Sequence, residues 1–293
     1  MTTDEAYAAC ARVARGHYEN FPVASLLLPP PMRPHIAAIY AFARAADDFA
    51  DEGDRPAADR LRLLDDWHAR LQACAAGLAG ASGRAGDDAV FVALGETIRT
   101  CALPVALFED LLSAFRQDVT TTRYATWPDL LAYCRRSADP VGRLVLRVAG
   151  YGDDRLDAAS DAVCTALQLT NFWQDLERDW GKGRLYVPRD TLDRAGASER
   201  DLDSRAMTPA WREALADLAA RTRALFDQGR PVCDGVAGRL RYELRFTWLG
   251  GRRILDRLEH AGFDVFAARP ALGFADLAGL AWNAVAWRPA AHT

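Results

Sequence analysis

The sequence predicts an all-α protein, a single-domain helical bundle running over residues 1–293. Three observations predict it. Ala, Leu and Arg dominate and long β-branched runs are scarce, and such side chains lose little freedom on entering a helix. Apolar residues recur at helical spacing nearly everywhere, with breaks confined to a few Pro- and Gly-rich stretches. Half of the 293 residues are hydrophobic, enough for one large core, and no linker separates blocks of different composition.

In chain order, helices are expected at roughly 4–16, 33–52, 56–76, 88–101, 104–119, 127–150, 155–180, 208–229, 234–261 and 272–287. The run PPPMRP at 29–34 separates the first from the second, and Gly53 is a natural stop for the second. The surface loop GLAGASGRAGDD near 77–88 follows the third. AGYGDD near 149–154 ends the sixth, and RAGASERDLDSRAMTP near 194–209 precedes the eighth. There is no internal repeat and no low-complexity tract.

Composition excludes several functions. Net charge is −4, from 36 Lys+Arg against 40 Asp+Glu, with no basic block, so no nucleic-acid partner is expected. The cysteines at positions 10, 74, 101, 134, 164 and 233 form no CxxC and no Cys/His cluster. They read as reduced thiols of a cytoplasmic protein rather than zinc ligands. MTTDEAYAACARVARG lacks the apolar core of a signal peptide. The most apolar stretch, Leu277–Trp287, is too short to cross a bilayer; it reads as a core helix or as a segment that rests on a membrane surface.

Residues 39–53 read IYAFARAADDFADEG. Asp47 and Asp51 are four apart, about 40° from one another on a helix face, and Asp48 and Glu52 form a second such pair. All four stand in the last turns of the expected helix, where its dipole is already negative and like charges at i,i+4 repel. A misfit of that kind points to function, and a divalent cation reverses the sign of each term. Asp65-Asp66 has no partner at i+4 and reads as ordinary surface.

Residues 165–188 read TALQLTNFWQDLERDWGKGRLYVP. Gln168, Asn171, Asp175 and Asp179 fall within a sector of about 100° on an otherwise apolar helix. Such a polar stripe is costly to bury unless it binds something. Oxygen-only ligands suit Mg²⁺, which shares its site with water and phosphate. Arg44, Lys182 and Arg184 are placed to meet phosphate oxygens. The residues thus point to a metal-bound diphosphate held by two acid-bearing helices in an apolar site.

The runs YAFARAADDFADE, YCRRSADPVGR and NFWQDLERDWGKGRLYVP resemble the squalene/phytoene synthase family, over about residues 12–260. The resemblance implies an isoprenoid-synthase helical bundle with a central cavity. It implies metal and catalytic roles for Asp47, Asp51, Asn171, Asp175 and Asp179. It places Tyr40, Arg44, Asp48, Gln168, Arg184 and Tyr186 at the substrate diphosphate, Tyr133 in the cavity, and Phe21 in a segment flapping over it. The segments HYENFPVASLLLPPPMRPHIAAIYAFAR and WLGGRRILDRLE are similar to one bacterial branch, the hydroxysqualene synthases of hopanoid biosynthesis.

That branch takes presqualene diphosphate as its single substrate, uses Mg²⁺, needs no NADPH and releases hydroxysqualene and diphosphate. No Gly-rich dinucleotide fingerprint is present. His17, Tyr133 and Tyr186 are candidates for placing the capturing water. Condensing members usually carry a Ser/Phe-rich run at 17–21, Arg where Gln174 stands and an acid where Arg178 stands. The alternatives are a head-to-head condensing enzyme making presqualene diphosphate, squalene or phytoene, and a non-catalytic scaffold relative, which is disfavoured because both acidic motifs are intact. A di-iron carboxylate bundle lacks its Glu-x-x-His pairs. A long apolar substrate, PVASLLLPPPM and the Trp-bearing end together predict transient contact with the inner membrane surface.

Overall fold

The computed structural model of the protein describes residues 1–16, 27–51, 53, 55–78 and 85–287. Among these the chain is helical and without a strand; one isolated parallel bridge joins Arg123 to Leu185. The helices are α1 (Thr3–Gly16), α2 (Arg33–Asp51), α3 (Ala57–Ala75), α4 (Ala85–Cys101), α5 (Val105–Thr120), α6 (Trp127–Ser137), α7 (Asp139–Val148), α8 (Asp154–Gln174), α9 (Leu176–Gly181), α10 (Arg189–Ala195), α11 (Glu199–Asp203), α12 (Pro209–Gly229), α13 (Val232–Gly235), α14 (Gly238–His260) and α15 (Phe274–Val285). They form two compact units, Met1–Thr120 with Pro140–Asp153, and Thr121–Asp139 with Asp154–Thr293.

In the first unit α2 packs against α1, α3, α4 and α5. Its buried residues Ile36, Ile39, Phe42, Ala46 and Ala50 recur every three or four positions, which fixes the inward face. Phe42 is fully buried, stacked on Trp67 at 5.8 Å and edge-on to Phe108 at 5.5 Å and Phe91 at 6.1 Å. Trp67 Nε1 donates to the Phe42 carbonyl at 3.3 Å, so the polar edge of the ring is satisfied inside the cluster. Tyr7, His35 and Thr97 meet at 3.0–3.1 Å and tie α1, α2 and α4 together. Burial lowers the pKa of His35, keeping that junction neutral.

In the second unit α8 packs against α12, α14 and α6. Gly229, at the end of α12, sits so close that a Cβ there would lie 2.7 Å from both the Ala159 carbonyl and the Val163 nitrogen. Only glycine allows that backbone approach. Trp173 Nε1 donates to Thr222 Oγ1 at 3.0 Å, and Trp248 Nε1 to the Phe226 carbonyl at 2.8 Å, which satisfies both buried indoles.

Three stretches whose periodicity reads as one helix are each two. At 127–150 the chain breaks at Ala138, because Pro140 cannot continue the ladder and α7 starts afresh. At 155–180 it breaks at Asp175, and at 234–261 at Val236 and Ala237, both extended, just before Gly238 opens α14 with φ +63°. The expected break at 194–209 contains the short helix α11, opened by a capping box in which Ser198 and Asp201 bond each other's backbone nitrogens. Among the described residues no helix is long and apolar enough to cross a membrane. Burial raises the thiol pKa of Cys10 and Cys74 to about 11 and of Cys233 to about 12, so these groups are poor nucleophiles.

Candidate active site

The first acidic motif lies where its spacing places it, in the last turns of α2, with Asp47, Asp48 and Asp51 half-buried. Arg44, one turn back, binds Asp48 at 2.5 Å and lies 3.5 Å from Asp47. Burial, the largest cause, raises the pKa of the Tyr40 phenol, which therefore stays protonated as a hydrogen-bond donor one turn before Arg44. Gly53 takes φ +80°, the left-handed conformation that ends a helix. Glu52, His17 and Phe21 lie outside the described residues.

The unfavourable position of these acids has a partial remedy that sequence reasoning missed. Arg60 of α3 donates to the Ala50 carbonyl at 2.9 Å and to the Gly53 carbonyl at 2.8 Å. It thereby caps the negative end of α2 with a cation. Its only sequence signal is an arginine one short loop beyond a helix-stopping glycine. Replacing Arg60 with Met is expected to cost about 1–2 kcal/mol in urea unfolding, through lost carbonyl partners and dipole compensation. An unchanged midpoint would mean that the helix end does not depend on it. Asp65, by contrast, is an exposed partner of Arg116 at 2.9 Å, as its lack of an i+4 acid suggests.

The second motif follows a bent path. Gln168 and Asn171 are on α8, Asp175 stands at the break with φ −100° and ψ 13°, and Asp179 is on α9. The i,i+4 spacing survives the bend, since Asp175 N bonds Asn171 O at 2.8 Å and Asp179 N bonds Asp175 O at 2.9 Å. Asn171 Nδ2 donates to Asp175 Oδ2 at 2.6 Å.

Asp175 is also gripped from far along the chain. Arg269 donates from Nε to Oδ1 at 2.5 Å and from Nη2 to Oδ2 at 3.0 Å, a two-pronged fork, while Arg178 lies 3.7 Å away. Gln174 Nε2 donates to the Pro270 carbonyl at 2.5 Å, so the segment around 269–270 straps the break. Arg269 was not legible in the sequence, being a lone arginine outside any periodic segment. It also changes the reading of Gln174: the positive charge absent at that position is brought to Asp175 by Arg269 and Arg178.

After α9 the chain turns at Gly183, φ +78°, and Arg184 N bonds back to Asp179 O at 2.8 Å. Lys182 is exposed and Arg184 half-buried. The segment then pairs with 122–125 through Leu185 N to Thr122 O and Arg189 N to Tyr124 O, both 3.0 Å. That pairing lays Tyr186 flat on Phe172, centroids 3.7 Å apart and planes 4° apart, with Tyr133 and Tyr124 within 6.1 Å of its ring. All four rings are buried, forming an aromatic wall beside the second motif; Tyr124 was not singled out in the sequence.

Among the described residues no three His, Cys, Asp or Glu side chains converge to cage a metal unaided. The donors are oxygen-only and come in ones and twos beside arginines, a set that fits Mg²⁺ when phosphate and water complete its shell. The fold and these residues define an all-α protein in which each of two acidic motifs has arginines beside its carboxylates.

The comparisons name the class. A family model described as squalene/phytoene synthase matches residues 14–276, and the chain belongs to that family, whose enzymes act on prenyl diphosphates. It is 40% identical over 215 residues to a hydroxysqualene synthase of Rhodopseudomonas palustris, covering 73% of this chain and 70% of that one. It is 30% identical over 277 residues to a 15-cis-phytoene synthase of Synechococcus elongatus, covering 90% and 87%. The crystal structure of squalene synthase HpnC from Alicyclobacillus acidocaldarius superposes with a TM-score of 0.81 at 42% identity, covering 89% of this chain and 95% of that one.

Proposed function

We propose that the protein is a hydroxysqualene synthase, converting presqualene diphosphate and water to hydroxysqualene and diphosphate. The observation that carries this reading is the 40% identity to the Rhodopseudomonas palustris enzyme across nearly three quarters of the chain. Each acidic motif would hold metal, through Asp47 and Asp51 in the first and through Asn171, Asp175 and Asp179 in the second. Magnesium, when bound, supplies Lewis-acid pull on the diphosphate oxygens.

The chain's own residues do the rest. Arg44, Lys182 and Arg184 bind phosphate oxygens, with the Tyr40 phenol as a neutral donor and Gln168 and Asp48 alongside. The carbon–oxygen bond breaks with its electron pair leaving on diphosphate. The cyclopropylcarbinyl cation rearranges, water forms the new carbon–oxygen bond, and one proton is lost to solvent or a base. The faces of Tyr124, Tyr133, Phe172 and Tyr186 favour a passing cation while excluding bulk water from it.

A second reading, head-to-head condensation of two shorter prenyl diphosphates, draws support from the likeness to the phytoene synthase and from the cations that Arg178 and Arg269 bring to Asp175. Purified protein with Mg²⁺ is given presqualene diphosphate in one tube and farnesyl diphosphate in another. Hydroxysqualene from the first and no diphosphate release in the second is the expected result. Turnover of farnesyl diphosphate alone would replace the first reading with the second.

A further inference from the structure

An exposed arginine usually makes one loose ion pair, which contributes little. Arg123 departs from that pattern, although its side chain is 38% exposed. Its Nη1 donates to the Gly183 carbonyl at 2.7 Å and to the Thr122 carbonyl at 2.8 Å. Its Nε and Nη2 donate to the Glu199 carboxylate at 3.1–3.2 Å. That engages four of the five donors a guanidinium has. The same group lies over the Trp180 ring, 5.1 Å from its centroid. Bonds to two backbone carbonyls, a carboxylate and a ring at once fix the position of a chain segment, where a single ion pair would only balance charge.

The segment so held is the turn that ends α9. Gly183 N bonds Trp180 O at 2.9 Å and Arg184 N bonds Asp179 O at 2.8 Å, the paired bonds of a Schellman motif with the left-handed glycine at its centre. Those local bonds settle the turn's own shape, but not its place against the rest of the second unit. α9 has six residues and Leu176 is its one buried residue, so packing anchors it weakly. Arg123 supplies the anchor, and its charge suits the negative end of the helix. Its far side is firm. Glu199 opens α11, and the carbonyl of the preceding Ser198 accepts from Trp211 Nε1 at 2.8 Å; Trp211 is fully buried on α12. A path of bonded groups thus runs from the core, through Glu199 and Arg123, to the turn that carries Lys182 and Arg184.

We infer that Arg123 is a positioning residue for the diphosphate. By holding the Gly183 carbonyl and the Trp180 ring it sets where Lys182 and Arg184 meet phosphate oxygens, and it does not touch the substrate itself. The inference rests on the reading of Lys182 and Arg184 as phosphate-binding groups. It is confined to that end of the substrate. The backbone bonds of Leu185 N and Arg189 N, which lay Tyr186 on Phe172, do not involve the guanidinium and stay when it is removed.

Calorimetric titration with magnesium diphosphate, a probe without a prenyl chain, reads the turn alone. Arg123→Met keeps the length of the side chain and loses the fork. It is expected to raise the Kd for diphosphate about tenfold, the scale of one weakened hydrogen bond to a charged group. Arg123→Lys restores the charge, but an ammonium cannot span two carbonyls and a carboxylate while lying flat on an indole, so it should stay at least about threefold weaker than wild type. Glu199→Gln loosens the far anchor, leaves Arg123 in place and should weaken binding about threefold. In turnover of the prenyl diphosphate, KM should rise in step with Kd while kcat stays within about threefold. Urea melts check that each variant is folded. Wild type with no affinity for magnesium diphosphate overturns both this inference and the site reading beneath it. Binding by wild type that a folded Arg123→Met matches overturns this inference alone. Full recovery in Arg123→Lys does the same, since charge and not the fork would then be what matters. So does a lowered urea midpoint with Kd and KM unchanged, the mark of a purely structural contact.

Discussion

Asp175→Asn is expected to lower diphosphate release from the prenyl substrate by about 10²–10³-fold, the scale on which one group that stabilises developing charge contributes to a rate. The carboxylate sits at the break between α8 and α9, with both oxygens engaged by Arg269 and one by Asn171. The amide keeps the shape and loses the charge. It removes one metal ligand of the proposed set and leaves Arg269 facing a neutral group that offers one acceptor oxygen instead of two. Stopped-time assays of diphosphate release, with a urea melt of the same sample, separate chemistry from stability. Arg269→Gln is the companion variant. If losing the strap alone explained the defect, it would match Asp175→Asn in rate; the proposed ligand role requires Asp175→Asn to be clearly the slower. Turnover of Asp175→Asn within threefold of wild type would remove that residue from the machinery.

Phe42→Ala is expected to cost about 3–5 kcal/mol, the usual range for truncating a buried aromatic ring. Phe42 is fully buried, and three aromatic neighbours from α3, α4 and α5 converge on it. The ring lies on α2 two residues from Tyr40 and from Arg44, so the cavity opens behind the first acidic motif. Chemical unfolding followed by circular dichroism reads the stability, and activity below the transition reads the motif. The more conservative Phe42→Leu should recover much of the loss by refilling volume. A penalty under about 1 kcal/mol for Phe42→Ala would mean that the surrounding rings close over the gap.

The acidic motif on α2 was legible because everything that defines it is local. Spacing fixes the face of Asp47 and Asp51, and Gly53 fixes the stop, where the structure finds φ +80°. The longer helices were legible for the same reason, down to the segment that ends at Gly229, whereas α10 and α11, of seven and five residues, are too short to show a period. The breaks were less so. Pro140 signals one in the sequence, but the bend at Asp175 has no proline or glycine to announce it. Gln174 and Asp175 are instead engaged by Pro270 and Arg269, more than ninety residues away in sequence. Periodicity cannot register a partner at that distance.

The sequence by itself determined the all-α class, the family, and the residue types that offer oxygen ligands and arginines, because helix propensity and i,i+4 spacing act within a few residues. Tertiary structure alone decided which charges offset those ligands: Arg60 on the end of α2, and Arg269 on Asp175. It alone gathered Tyr124 with Tyr133, Phe172 and Tyr186, and turned the apolar stripe of α15 outward while Leu280 and Ala284 went in. The apolar end of the chain reads first as a core helix, yet Phe274, Leu277, Trp282 and Val285 are exposed, since burial depends on what else in the chain reaches it.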